Sequence, residues 1–355
     1  MTSQPPPVPT RRPPAGPLPP VVLARDVPRA ALEAAVRSGE LERIRPGAYR
    51  RTACGPAGQS GSTGPRGPAG QFGSTGAAAG TGVRTDPREL IPAEARELAL
   101  ARIAAISRKL RTPFWFSHES AALLWGCPLW KPVTETHIIQ TVSPNTHSGP
   151  LLTRHLMPLP VEDRQERRGV PVTSLDRTVV DCLGRLPPLD SLVIADGALR
   201  LGADREAIAT RLGALAGRRG VVGARIVLDH ADGRAESPWE TFLRYVLLRH
   251  GLPRPELQVQ IRSRLGWFRA DVGWREWKLL LEFDGFTKYS TFAGGDPARV
   301  LFEEKRRQEA IEEEGWGVLR VTAADLSRPA DLISRVCRRL PAGITLTPVR
   351  AFAAL

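Results

Sequence analysis

The sequence predicts an α/β fold for residues 232–340 with the element order α-β-β-β-α-β, preceded by a mixed α+β region and a small helix-plus-hairpin unit. Three observations carry this. Ser237-Pro238-Trp239-Glu240 sets a cap residue, a proline at the first helical position and a glutamate three after the cap, which together write a helix start. Short apolar and aromatic runs at 257–261, 267–274 and 277–284 follow, separated by turn residues, and read as strands. A charged stretch at 297–314, opened by Asp296 and closed by Gly315, then leads to a fourth run at 318–322. A strand, helix, strand passage of this kind is a right-handed crossover, so the last two strands should lie side by side.

The N-terminal two thirds divide by composition. Residues 1–20 are a leader with proline at nine positions, too proline-rich for regular structure. In 21–53, Pro28 opens a short helix carrying Ala31, Leu32, Ala35 and Val36, and Gly39 ends it; 41–45 and 48–51 then form a hairpin turning at Pro46-Gly47. Residues 54–86 hold glycine at every third position from Gly55 to Gly76, but seven triplets without proline in the third place favour a flexible insert over a collagen helix. The middle region, 87–231, offers a helix at 94–109, a strand at 114–116 and a short helix capped by Ser117 and stopped by Gly126. His118 beside Ser117 and Ser120 reads either as a hydrolytic pair or as capping and packing, while Asp176, Arg177 and Asp181 form a polar cluster at a helix start. Residues 341–355 are left as a tail.

Composition narrows the function. With 355 residues, 42% apolar and 25% charged, the chain can bury a core and spans two or three domains. No apolar run approaches the ~20 residues that cross a bilayer, and the N-terminus lacks an apolar signal core. A cytoplasmic protein without a membrane partner is expected. Cys54, Cys127, Cys182 and Cys337 are isolated, as reduced thiols are, and the six histidines show no i, i+4 helical pair, which argues against a zinc enzyme. The net charge of +13 favours nucleic acid through phosphate contacts. An even spread of arginine also fits a merely solvated surface; the densest excess lies in the first 53 residues.

The chemistry concentrates in the last third. A hairpin turning at Arg275-Glu276 would pair Asp271 with Leu280, and alternation then puts Asp271, Glu282 and Asp284 on one face. Clustered carboxylates on a half-buried strand repel and need a cation, a proton or an arginine. A hard divalent cation such as Mg²⁺ or Mn²⁺ is one answer; a structural acid cluster paired with Arg269 or Arg320 is another. Glu240 reads both as part of the helix cap and as a fourth acid. Lys305 and Arg307 on the charged helix could serve the site or form i, i+4 pairs with neighbouring glutamates.

Two resemblances sharpen these expectations. Arg37-Ser38-Gly39-Glu40-Leu41-Glu42-Arg43-Ile44-Arg45-Pro46-Gly47-Ala48-Tyr49 resembles the N-terminal winged-helix segment of AbiEi-type antitoxin proteins, as do the phrases at 117–126, 171–181 and 194–199 with their middle part. That resemblance implies DNA contacts from Arg37, Arg43 and Arg45 and a cognate toxin as partner. Asp271, then Glu282-Phe283-Asp284-Gly285, with Glu240 on the preceding helix, resembles the PD-(D/E)XK nuclease superfamily, in its branch related to very-short-patch-repair endonucleases. This implies a restriction-endonuclease-like domain in which Asp271 and Glu282 bind Mg²⁺, with Asp284 beside them, and Glu240 assists. The superfamily usually has lysine two residues after the strand glutamate, where this chain has Asp284. Lys288, Lys305 or Arg307 would supply the missing cation, and Lys305 and Arg307 would contact the DNA. The expected function is a Mg²⁺-dependent DNA endonuclease, for which a homodimer would decide between nicks and double-strand breaks. The alternative is a non-catalytic DNA-binding regulator of antitoxin type.

Overall fold

The computed structural model describes residues 16–52, 90–143, 149, 151–284 and 297–353. The Gly-x-y stretch, most of the proline-rich leader, Cys54, Lys288 and Asp296 lie outside the described residues. Among the described residues, three sheets and the helices around them make a mixed α/β architecture.

The first sheet is small. β1 (Val22–Leu23), α1 (Arg29–Arg37), β2 (Leu41–Arg45) and β3 (Ala48–Arg51) follow one another, and the strands pair in the order β1-β3-β2. Pro28 starts α1 and Gly39 (φ +76°) ends it, as the sequence indicated; Gly47 turns the hairpin at φ +69°, a conformation that strains any side chain. Val21, Leu23, Ile44 and Ala48 pack on Ala101, Ala104 and Ala105 of α2 (Ala93–Lys109). The alanine face lets the hairpin approach the helix closely.

The middle sheet comprises β4 (Trp115–Phe116), β5 (Thr136–Gln140), β6 (Leu152–Leu156), β7 (Arg164–Arg167) and β8 (Val170–Thr173), ordered β6-β5-β4-β8-β7 with parallel and antiparallel neighbours. α3 (His118–Trp125) packs against β5 and β8, and on it stack α4 (Leu175–Leu183), α5 (Pro188–Arg200), α6 (Arg205–Ala214) and α7 (Val221–His230). The polar cluster at the start of α4 is real: Arg177 Nε donates to Asp181 Oδ1 at 2.8 Å. Burial nevertheless pushes the Asp181 carboxyl up from 3.8 to about 6, the guanidinium offsetting only part of it. Because the folded chain holds this proton more tightly than the unfolded one, its stabilising effect is complete below about pH 4 and lost as pH rises through about 6. Asp181→Asn should therefore flatten the unfolding free energy between those limits, removing a fall of about 2–3 kcal/mol in wild type, as read by denaturant melts across that range.

The last unit follows the expected order: α8 (Pro238–Arg249), β9 (Glu256–Ser263), β10 (Gly266–Trp274), β11 (Leu279–Phe283), α9 (Pro297–Glu312) and β12 (Gly317–Val321). The sheet runs β12-β11-β10-β9, and β11 and β12 are parallel neighbours across the α9 crossover. α10 (Ala323–Leu326), α11 (Pro329–Cys337) and α12 (Arg350–Ala353) follow. The hairpin differs from expectation. Trp274 pairs with Leu279, so residues 275–278 form a four-residue turn in which Lys278 adopts φ +47° and donates its N–H to Arg275 O at 3.2 Å. Trp277 leaves the ladder to pack beside Trp274, ring centroids 5.7 Å apart, and that packing sets the longer turn. The register slips by two residues, an even number, so Val272, Gly273 and Trp274 keep the alternation expected of them, but Ala270 and Val272, of like parity, join different buried clusters, so the alternation breaks at Asp271. Gly273 is needed in this hairpin, since a Cβ there would come within 2.6 Å of the Leu279 carbonyl oxygen.

One buried cluster runs from α2 to α12, across the boundary expected near residue 231. Residues set apart as a tail belong to it: Phe352 is fully buried, its carbonyl accepting from the Tyr245 hydroxyl at 3.1 Å. At the seam between α5 and α8 lies a buried ion pair of Asp196 with Arg244, the latter 1% exposed. Thr241 Oγ1 and the Asp232 N–H donate to the same carboxylate, each at 2.7 Å, and Arg244 also reaches the His230 carbonyl.

Candidate functional site

Glu240 of α8 and Gln258 of β9 meet on one side of the last sheet near Asp271 of β10, while Glu282 of β11 is paired with Arg307 of α9. The helix cap positions the first. Ser237 Oγ accepts the Glu240 N–H at 3.2 Å, and the Glu240 carboxylate turns back to accept from Ser237 Oγ and the Glu236 N–H, both at 2.9 Å. The cap does not use up the residue. Glu240 Oε2 also accepts from Gln258 Nε2 at 2.8 Å, and the side chain is 6% exposed. Its carboxyl is pushed up to about 7, by burial first and by the negative charge of Asp271 second. The carboxylate that completes the helix cap thus also reaches across to β9.

Gln258 is a member that sequence reasoning missed. The alternation Leu257-Gln258-Val259-Gln260-Ile261 makes it look like an outward-facing polar residue, yet it is buried. It sits at φ +55° within β9, a left-handed conformation that interrupts the strand. The flanking pairs Ala270 with Val259 and Val272 with Leu257 set it across from Asp271. Asp271 Oδ2 accepts the Phe283 N–H at 2.9 Å, one step past the last ladder pair of Val272 with Leu281.

The cations divide unevenly. Arg307 reaches in from α9, with Nη2 2.8 Å from Glu282 Oε1 and its guanidinium 5.4 Å over the Phe268 ring. Arg269, one of the two arginines considered as structural partners, instead pairs with Glu236 at 2.8 Å. Arg320 pairs with Glu304 at 2.5 Å and lies 4.0 Å from Asp284 Oδ2. Among the described residues, Asp284 Oδ1 is buried without a hydrogen-bond partner. Lys305 points away, exposed, 3.8 Å from Glu309 in the i, i+4 pair that was its alternative reading. Lys288 is outside the described residues. Carboxylates are the donors a hard divalent cation prefers, but among the described residues no three of these acids bring ligand atoms within 4.8 Å of one another.

A second group of chemistry-bearing residues lies in the middle sheet. His118, His137 and His155 each offer a ring nitrogen within 4.8 Å of the others, a cluster that could hold a metal ion. His137 Nδ1 is 3.1 Å from His155 Nε2, and the His118 and His155 rings stack with centroids 4.1 Å apart. Burial chiefly, with the neighbouring imidazoles and Arg185, holds His118 down to about 2 and His137 to about 4. Ser117 does not cap α3 with its side chain; its Oγ lies 3.0 Å from His118 Nδ1.

The N-terminal arginines also separate. Arg37 and Arg43 are exposed at the end of α1 and along β2. Arg45 turns inward, its basicity lowered by burial and by Arg154, in a seam where Lys109 donates to the Pro46 carbonyl at 2.7 Å. No helix among the described residues is long and apolar enough to cross a membrane.

Known proteins resemble part of this chain. Two uncharacterized proteins of Mycobacterium tuberculosis, from strains CDC 1551 and H37Rv, are each 35% identical to it over 166 residues, which is 46% of this chain. The match spans 59% of the length of these curated relatives. No protein-family model and no solved structure matches.

Proposed function

We propose that the C-terminal unit is a Mg²⁺-dependent DNA endonuclease with a restriction-endonuclease-like arrangement. The observation that carries the reading is the hydrogen bond joining Asp271 of β10 to the Phe283 N–H, next to Glu282 on β11, with buried Glu240 close enough to Asp271 to feel its charge. Asp271 and Glu282 would hold the metal, with Asp284 beside them. When bound, Mg²⁺ supplies a water of lowered pKa and offsets the charge that develops on the phosphate. Glu240, fixed by Ser237 and Gln258, holds or releases a proton near neutral pH. Arg307 provides the positive charge that the superfamily takes from its lysine. The test is nicking of supercoiled plasmid by the purified chain. Mg²⁺ or Mn²⁺ should support it and EDTA should stop it.

One observation favours the second reading, a DNA-binding regulator without turnover: Glu282 already has Arg307 as its counter-ion. Salt-sensitive binding of duplex DNA by a folded chain that never nicks it would decide for the regulator.

Under either reading the helix-plus-hairpin unit lies on the DNA backbone through Arg37 and Arg43. Replacing both with alanine should weaken binding uniformly across sequences and lower the slope of log affinity against log salt by about two, roughly one per phosphate lost. Fluorescence anisotropy over a salt series reads this, and an unchanged slope would take the DNA contact elsewhere.

A further inference from the structure

We propose that His118, His137 and His155 form a zinc site in the middle sheet, separate from the carboxylate group of the C-terminal unit. The three rings come from the first residue of α3 and from the neighbouring parallel strands β5 and β6. His118 is held at φ +51°, a conformation few side-chain-bearing residues adopt, and its ring lies flat on that of His155. Zinc–nitrogen bonds of about 2.0–2.1 Å place the ligand atoms of a tetrahedral site about 3.3 Å apart. His137 Nδ1 and His155 Nε2, 3.1 Å apart, meet that spacing already, and with the trio's ligand atoms all within 4.8 Å of one another, the His118 ring would turn out of its stack on His155 to bring its nitrogen to the metal.

The outer contacts point the same way. Metal-bound imidazoles commonly donate their second ring nitrogen to a carboxylate or another oxygen, which fixes tautomer and orientation. His137 Nε2 lies 3.5 Å from Glu119 Oε2, a buried carboxylate oxygen with no hydrogen-bond partner, and His118 Nδ1 lies 3.0 Å from Ser117 Oγ. These contacts leave His118 Nε2, His137 Nδ1 and His155 Nε2 to converge. An all-imidazole set suits zinc and disfavours Mg²⁺, and three protein ligands leave a fourth position for water or a substrate oxygen.

The test uses the full chain, stripped with a chelator and titrated with Zn²⁺ against a chromophoric competitor in a large excess of Mg²⁺. One Zn²⁺ per chain is expected, bound at micromolar concentration or tighter and not displaced by Mg²⁺. Co²⁺ in its place should give the intense visible absorption of a four-coordinate nitrogen site. His155→Gln, at the least buried of the three positions, should lose the metal. Glu119→Gln should weaken it by about 10–100-fold, as loss of an outer partner does. Absence of Zn²⁺ binding by folded wild type, displacement by Mg²⁺, or the pale spectrum of six-coordinate Co²⁺ would each overturn the site. If His155→Gln does not fold, the wild-type stoichiometry and cobalt spectrum by themselves decide for or against the site.

Discussion

Asp271→Asn is expected to abolish Mg²⁺-dependent cleavage while leaving DNA affinity within about twofold of wild type. The substitution keeps the size of the side chain and an oxygen able to accept the Phe283 N–H, so β10 and β11 should stay paired. It removes one negative charge from the pair of carboxylates proposed to hold the metal. A bound metal contributes several kcal/mol to phosphodiester hydrolysis, and each 1.36 kcal/mol is a factor of ten. The rate should therefore fall by roughly 10²–10³-fold or more. Single-turnover cleavage and anisotropy with the same duplex separate the two effects. Equal loss of affinity and rate would mean that Asp271 acts through folding or DNA contact instead.

Arg244→Met should carry the largest stability cost in the chain. Arg244 and Asp196 are almost fully buried against each other, and Asp196 holds the α8 residue Thr241 and the Asp232 N–H as well. Removing the guanidinium strands a carboxylate in the core and leaves the His230 carbonyl without its donor. Breaking a buried pair on one side typically costs about 3–5 kcal/mol. Burial already raises the Asp196 carboxyl, and without Arg244 it should rise further. The variant's deficit should thus widen as pH increases, because the folded chain would then hold a proton that the unfolded chain has released. Urea denaturation at several pH values reads both. The double variant Arg244→Met with Asp196→Ala should recover part of the loss, since no uncompensated charge remains.

The pattern of what was legible follows from the range over which each interaction acts. The start of α8 is local: Ser237, Pro238 and Glu240 write it in four residues, and it forms as written. The alternation of β11 was also readable: Leu279 and Leu281 join one buried cluster and Leu280 the other. The turn itself was not, for it depends on Trp274 and Trp277 packing beside each other. Gln258 was hidden because a polar residue in an alternating strand looks solvent-facing until α8 covers it. Arg307 could not be separated from Lys305 on sequence; two residues apart on α9, they occupy different faces, one toward Glu282 and one toward solvent. The histidine cluster lay beyond reach of spacing rules. Its members are 118, 137 and 155, two of them on strands whose pairing only the fold reveals.

The most direct test of the carboxylate account is single-turnover cleavage of a duplex across a Mg²⁺ series by wild type and by Glu282→Gln, at DNA occupancies matched by anisotropy. The account predicts cleavage that saturates with Mg²⁺ for wild type and none for Glu282→Gln. No cleavage by folded, DNA-bound wild type, or equal cleavage by both chains, would contradict it.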